Sequence, residues 1–233
     1  MPRFALTKLS VPVTRSAKVA RPALSNMLIQ APRKLTLITA PAGFGKTSFA
    51  AQRYLELRRG GATVIWISVG VEEQESYRFL SLLIEATGRL LPGVGDYALK
   101  LLESTPDVAV GRLVTSYIND LVESGREITM FLDDYQLAES RENNEALELL
   151  LRQSPDSFRI VLTSRISPAI SLAALRVSNL VTDITQEELR FSDQEAQEFF
   201  ELSEERYRRQ VALYVQGIAD ATSANARGHL LRL

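Results

Sequence analysis

The octapeptide Ala40-Pro41-Ala42-Gly43-Phe44-Gly45-Lys46-Thr47, followed by Ser48, carries the residue types that hold a polyphosphate. Glycines at 43 and 45 free the backbone to curl until successive amides point at phosphate oxygens, and a helix opening directly afterwards adds its positive N-terminal end. Lys46 is spaced to reach the β- and γ-phosphates, and Thr47 to place its hydroxyl on a Mg²⁺ ion that clamps the same phosphates from the other side. The string is a Walker A pattern with alanine at the first glycine position. Average residue usage would produce such an octapeptide in roughly one chain in fifty of this length. The apolar strand before it and the helix after it narrow the odds of chance further.

Ile128-Thr129-Met130-Phe131-Leu132-Asp133-Asp134 is an apolar strand ending in two carboxylates, a Walker B pattern. Asp133 would hold Mg²⁺ through water, and Asp134 would orient or deprotonate an attacking water. A paired aspartate after a strand also reads as a solvated turn. Its place downstream of a phosphate loop favours the metal and base roles. Thr163-Ser164-Arg165 ends another apolar run, on the side where ligands bind in open α/β sheets. Arg165 is placed to sense a γ-phosphate; a surface arginine at a strand end is the plainer reading, and both stand at this stage.

These residues need a frame, and the rest of the chain reads as one. Residues 1–30 hold Pro2, Pro12 and Pro22 and read as an extended arm lying on the core and leading into a short helix at Leu24 to Gln30. From Lys34, short β-rich apolar runs alternate with helical stretches, the pattern of a parallel sheet covered by helices. Strands are expected at Leu35–Thr39, Thr63–Val69, Ile128–Leu132, Ile160–Thr163 and Leu180–Ile184. Helices are expected at Thr47–Arg59, 74–91, 108–123 and Glu142–Leu151, with a loop-rich stretch around Pro92, Gly93, Gly95 and Pro106. Ser192-Asp193-Gln194-Glu195 is a capping-box sequence opening a helix whose Ala196, Phe199 and Phe200 would face a core. The expected class is α/β, a P-loop NTPase with a central parallel sheet flanked by helices. The divisions are an arm over 1–30, a core over 31–185 and the start of an incomplete helical lid over 186–233.

Composition removes several alternatives. The 233 residues are 45% hydrophobic, ordinary for a chain with a substantial core, and 27 Lys plus Arg nearly balance 28 Asp plus Glu. No basic field exists to hold DNA by counterion release, so direct DNA binding by this chain is not expected. With no cysteine and only His229, disulfides and thiolate metal sites are out. Met1 to Ser10 lacks an apolar stretch long enough for a signal peptide and no later run approaches a membrane span, so a cytoplasmic protein is expected.

Four blocks resemble one family, the STAND class of signal-transduction ATPases, in its branch of large MalT-like, LuxR-type transcriptional activators. They are Lys8-Leu9-Ser10-Val11-Pro12 with Val19-Ala20-Arg21-Pro22; Thr39 through Thr47; Leu132-Asp133-Asp134-Tyr135-Gln136-Leu137, similar to an Asp-Asp-Tyr-His-Leu block; and Leu162-Thr163-Ser164-Arg165 with Leu189-Arg190-Phe191-Ser192 and Glu195-Ala196. The resemblance covers roughly residues 8–215. It implies a switch: ADP at rest, an ATP form of the full-length parent that self-associates when an inducer binds, and slow hydrolysis that resets it. It also implies that Arg21 and Pro22 lie near the adenine. Adenine over guanine rests on the resemblance, with no Asn/Thr-Lys-x-Asp pattern in the chain to argue otherwise. Sensor and DNA-binding domains of such proteins lie downstream and are not in this sequence.

Two departures stand out. The family has an acidic Leu-Asp-Glu turn after the second strand, whereas Val69-Gly70-Val71 intervenes here before Glu72 and Glu73. Beyond Gly217 the lid motif is replaced by Ile218 to Leu233, a small-residue stretch without an amphipathic face. Suitable codons read one nucleotide later would permit Ala-Leu-Pro-Thr-Pro-Leu-Gln, which resembles that motif, so the expectation is a truncated or frameshifted lid; a naturally short protein is the alternative. Functionally, an ATP/ADP-binding switch with slow hydrolysis leads. A non-hydrolysing interaction module stabilised by nucleotide is the alternative, and a small-molecule kinase has no sequence feature that demands it.

Overall fold

A computed structural model of the chain describes residues 4–12, 19–30, 33–104, 108–205 and 208. Two compact units emerge, Met1–Val13 with Pro22–Arg190, and Thr14–Arg21 with Phe191–Leu233.

The first unit is built on five parallel strands: β1 (Leu35–Thr39), β2 (Thr63–Ser68), β3 (Ile128–Asp133), β4 (Phe158–Ser164) and β5 (Val181–Ile184). They lie in the order β2-β3-β4-β1-β5. The strands start or stop within about two residues of the sequence expectation. The informative extension is at β3, which runs on to Asp133 because Ser68 of β2 pairs with it.

Side chains alternate strictly between two buried layers, as period-two geometry demands. Leu35, Leu37, Ile65, Ile67, Met130, Leu132, Ile160 and Leu162 enter one layer. There they meet α3 (Ser76–Leu90), α4 (Asp96–Ser104), α5 (Val110–Ser124), α6 (Arg141–Gln153) and α7 (Leu172–Val177). Ile38, Val64, Trp66, Phe131 and Val161 enter the other, against α1 (Pro22–Gln30), α2 (Lys46–Arg59) and α8 (Gln186–Leu189). In this second layer Trp66 stacks on Phe131 at 5.7 Å, and Tyr54 of α2 meets both rings edge-on at 5.9 and 5.5 Å. These contacts seat the helix that leaves the phosphate loop.

Three helices were not anticipated. The stretch expected to be loop contains α4, because Ala98, Leu101 and Leu102 recur at helical spacing and bury against the core. The short α7 is seated by Leu172 and Leu175, and α8 by Leu189 behind a Thr185/Glu188 capping box.

The acid after β2 has a structural role. A 3₁₀ turn at Val71–Gln74 buries Glu73 to 3% exposure, where it accepts a hydrogen bond from the Gly70 amide at 2.7 Å. It also accepts one from Lys8 Nζ at 2.7 Å, while Glu72 takes another from the same ammonium at 2.9 Å. Lys8 sits in a 3₁₀ turn at Leu6–Leu9, and Phe4 and Leu9 beside it pack on the core, so this first stretch of the expected arm lies on the sheet unit. Burial alone would depress the Lys8 ammonium, but its bonds to Glu73 and Glu72 outweigh that and raise it; the Lys8 contact lowers the Glu72 carboxyl.

In the second unit a helix over 193–205 opens as expected: the Ser192 amide donates to Glu195 and the Glu195 amide to Ser192 Oγ, at 2.9 and 3.2 Å. Ala196 and Phe199 are half-buried, and Phe199 lies 5.6 Å from Phe191. Phe200, expected to face a core, is instead 71% exposed, although it shares the i, i+3, i+4 spacing with Ala196 and Phe199. The tail beyond Gly217, with His229 and the expected frameshift, lies outside the described residues.

Replacing Lys8 with Ala strands a buried carboxylate and should cost about 1–3 kcal/mol. Urea unfolding of Lys8→Ala beside Lys8→Arg measures this; an unmoved midpoint would show that the ion pair does not hold the arm.

Candidate functional site

The strand order sets the site. Because β4 stands between β1 and β3, the C-terminal ends of all three lie side by side, with Thr39 paired to Ser164 and Leu132 to Leu162. The phosphate loop leaves β1 at this edge and the paired aspartates end β3 there, in the crevice where open α/β sheets bind ligands.

In the loop, Gly43 (φ 86°) and Gly45 (φ 80°) both adopt the left-handed conformation, and Gly45 caps α2. Residues 41–45 are exposed, including Pro41, Ala42 and Phe44, while Lys46 is buried and Thr47 and Ser48 are half-buried. The Phe49 amide is bonded to Gly45 O at 2.9 Å, so the preceding amides stand at the open helix end that attracts anions. Lys46 Nζ donates to Pro41 O at 3.0 Å, which arches the side chain back over the loop. Burial depresses this ammonium, Asp134 and Asp133 oppose the depression, and Arg165 adds to it. These four groups therefore share one electrostatic neighbourhood.

The centre of the site is one oxygen. Asp133 Oδ1 accepts hydrogen bonds from Thr47 Oγ1 at 2.9 Å and from Thr163 Oγ1 at 2.7 Å. Thr163 Oγ1 in turn accepts from the Asp134 amide at 2.9 Å. Asp133 is only 4% exposed, and burial raises its carboxyl despite the Thr163 and Thr47 hydrogen bonds and Lys46, which oppose the rise; Asp134 adds to it.

Asp134 itself turns the chain at φ 60°, ψ 40°, an αL conformation that aspartate tolerates better than most residues. Its Oδ1 accepts from Gln136 Nε2 at 2.9 Å, and Gln136 Oε1 accepts from the Arg165 amide at 3.0 Å. The Arg165 side chain is exposed at the end of β4. The structure thus brings Lys46, Thr47, Asp133, Asp134 and Arg165 to one edge of the sheet unit. Pro22 is the exposed first residue of α1, a position suited to a residue without an amide proton. Arg21 belongs to the second unit, where it is buried, donates to Glu195 Oε1 at 2.9 Å and lies over the Phe191 ring at 5.0 Å.

Two residues were missed as site members in their own right, Thr163 and Gln136. Thr163 was visible only as the neighbour of Arg165. Nothing local says that its strand inserts beside the aspartates. Gln136 lies two residues past Asp134, a spacing that a sequence alone leaves indistinguishable from a polar turn.

No protein-family model matches the chain. The transcriptional regulator MalT of Vibrio parahaemolyticus is 31% identical over 195 residues, 83% of this chain and 21% of that protein. The serine/threonine-protein kinase PknK of Mycobacterium tuberculosis is 31% identical over 191 residues, 82% of this chain and 17% of that protein. The chain is similar to a MalT-like NTPase module and has a P-loop NTPase fold. It spans about a fifth of the length of the curated relatives it matches. Among solved structures, the Aeropyrum pernix ORC1 protein in complex with DNA superposes with a TM-score of 0.54 at 17% identity, covering 84% of this chain and 51% of that one. At that identity the likeness speaks for the fold, and it is the fold seen in this module.

Burial that raises the Asp133 carboxyl means the folded module binds a proton there more tightly than the unfolded chain does. The corresponding stability is fully present below the unfolded-state value and is lost as pH rises through the raised folded-state value, above which the ionised, desolvated Asp133 opposes folding. Asp133→Asn, which keeps an acceptor for both hydroxyls, should therefore stabilise the ligand-free module by about 1 kcal/mol, roughly 2–4 °C for a chain of this size. Calorimetric unfolding at neutral pH checks this, and a lower midpoint would contradict it.

Proposed function

We propose that this module is the nucleotide switch of a longer regulator, binding ATP or ADP with Mg²⁺ and hydrolysing ATP slowly. The observation that carries the reading is Asp133 Oδ1, bonded at once to the hydroxyl that follows the phosphate-loop lysine and to the end of β4. A carboxylate held this way at 4% exposure is a costly arrangement for a fold to keep unless charge is to be placed against it.

The donor set suits magnesium, since Thr47 and Asp133 supply oxygen alone, the preference of a hard cation. They would hold the ion, which when bound neutralises phosphate charge. The exposed loop 41–45 and the open amides of α2 would cradle the phosphates, and Lys46 would move from Pro41 O to the β- and γ-oxygens. Asp134 is assigned the water: it accepts a proton as the water oxygen bonds to the γ-phosphorus and the β–γ bridging oxygen leaves with ADP. Arg165 is assigned to the γ-phosphate.

In the proposed setting, cytoplasmic and bacterial, ATP-dependent self-association and DNA binding belong to the longer protein. The module's balanced charge offers DNA no general field. Among the described residues no helix is long and apolar enough to cross a membrane.

Thermal unfolding with Mg-ATP, Mg-ADP, Mg-GTP or no ligand tests the binding. Ligand at a hundred times its dissociation constant adds about 2.7 kcal/mol, a rise of roughly 5–10 °C at this size. The rise should appear with adenine nucleotides and vanish in Lys46→Ala. A rise unaffected by Lys46→Ala, or none in a cooperatively folding chain, would overturn the assignment of the loop.

A further inference from the structure

Gln136 spans two parts of the site. Its amide nitrogen donates to Asp134 Oδ1 at 2.9 Å and its amide oxygen accepts from the Arg165 backbone at 3.0 Å. The orientation of the amide follows from its partners, since a backbone N–H can only donate and an ionised carboxylate can only accept. The Asp134 amide is bonded to Thr163 Oγ1 at 2.9 Å, so both the backbone and the carboxylate of Asp134 are referred to the same strand end, 163–165. Without Gln136 the backbone would stay anchored, while the side chain, on a half-buried residue in an αL turn, would be free to choose another rotamer.

We infer that Gln136 is a positioning residue for hydrolysis: its amide fixes the Asp134 carboxylate relative to the β4 end that carries Arg165. The inference rests on the proposed role of Asp134 as the group that takes the water's proton. A base must lie within hydrogen-bond reach of the proton it removes, and a rotamer change moves a carboxylate beyond that reach. Among the described residues Gln136 makes no hydrogen bond to the phosphate loop or to Asp133, so its effect falls on turnover and not on nucleotide affinity.

Two substitutions separate positioning from simple bracing of the loop. Gln136→Met matches the shape and removes both bonds. Gln136→Glu keeps an acceptor for the Arg165 amide but loses the donor and sets a like charge beside Asp134. Bracing alone makes Gln136→Glu the milder change; positioning makes it the more severe. Single-turnover hydrolysis with the chain in excess over Mg-ATP, and affinity by titration, are measured for the parent, both variants and Asp134→Asn.

The expected result is a loss in rate of about 10- to 100-fold for Gln136→Met, the scale of one hydrogen bond to a charged group. Gln136→Glu should lose more, and both should bind Mg-ATP within about twofold of the parent. Relative to the parent at the same pH, Gln136→Glu should recover part of its loss on acidification, because a protonated carboxyl is again a donor. Parent-like rates in both variants, or Gln136→Met as the slower of the two, overturn the inference while an inactive Asp134→Asn leaves the hydrolytic reading standing. An Asp134→Asn that turns over like the parent, or a parent without turnover, overturns that reading and this inference with it.

Discussion

Everything at this site depends on a single buried carboxylate oxygen shared between two threonine hydroxyls. Asp133 Oδ1 accepts one hydrogen bond from Thr47, at the start of α2, and another from Thr163, at the end of β4. A carboxylate with 4% exposure loses most of its hydration, and the two bonds with Lys46 nearby recover only part of it. The result is a concentrated negative point at the edge of the sheet, facing the positive end of a helix and a lysine arched over its own loop. Phosphate and a divalent cation together match that pattern of charge, whereas either alone would leave part of it unanswered.

The rest of the fold serves to hold that point still. Three parallel strands must end at the same level, so β1, β4 and β3 are adjacent and buried on both faces. The helix carrying Thr47 must not shift, and the Tyr54, Trp66 and Phe131 cluster fixes it against the sheet. On the other face Asn143 of α6 donates to Glu73 O and to Ala138 O, at 2.7 and 2.6 Å, tying the turn after β2 to the turn after β3. Glu73 is also the residue that holds Lys8 of the arm. A hydrogen-bonded path therefore runs from the N-terminal segment to the turn that contains Gln136.

Much of this was legible in the sequence. The phosphate loop announces itself because its glycines, lysine and threonine are adjacent in the chain, and β1 and β3 because apolar, β-branched runs end abruptly at functional residues. What stayed hidden depends on distance along the chain. Thr163 lies 30 residues from Asp133, and only strand order brings them together. The α4 helix was obscured by Gly93 and Gly95, whose turn precedes it without interrupting it, and by Pro106, which follows it. Phe200 stands at core-like spacing from Ala196, yet it is exposed while Phe199 is half-buried, and spacing alone does not tell the two apart. Glu73 could be seen as an acid out of its usual place, but its partner Lys8 is 65 residues away.

The most direct measurement is a calorimetric titration of ATP into the chain in Mg²⁺ and again in EDTA, repeated with Thr47→Val. If the Thr47 and Asp133 oxygens form one half of a metal–phosphate site, magnesium tightens binding by about tenfold or more, about 1.4 kcal/mol, and Thr47→Val removes that gain while metal-free binding changes little. Equal affinity with and without magnesium in the parent chain would contradict the account.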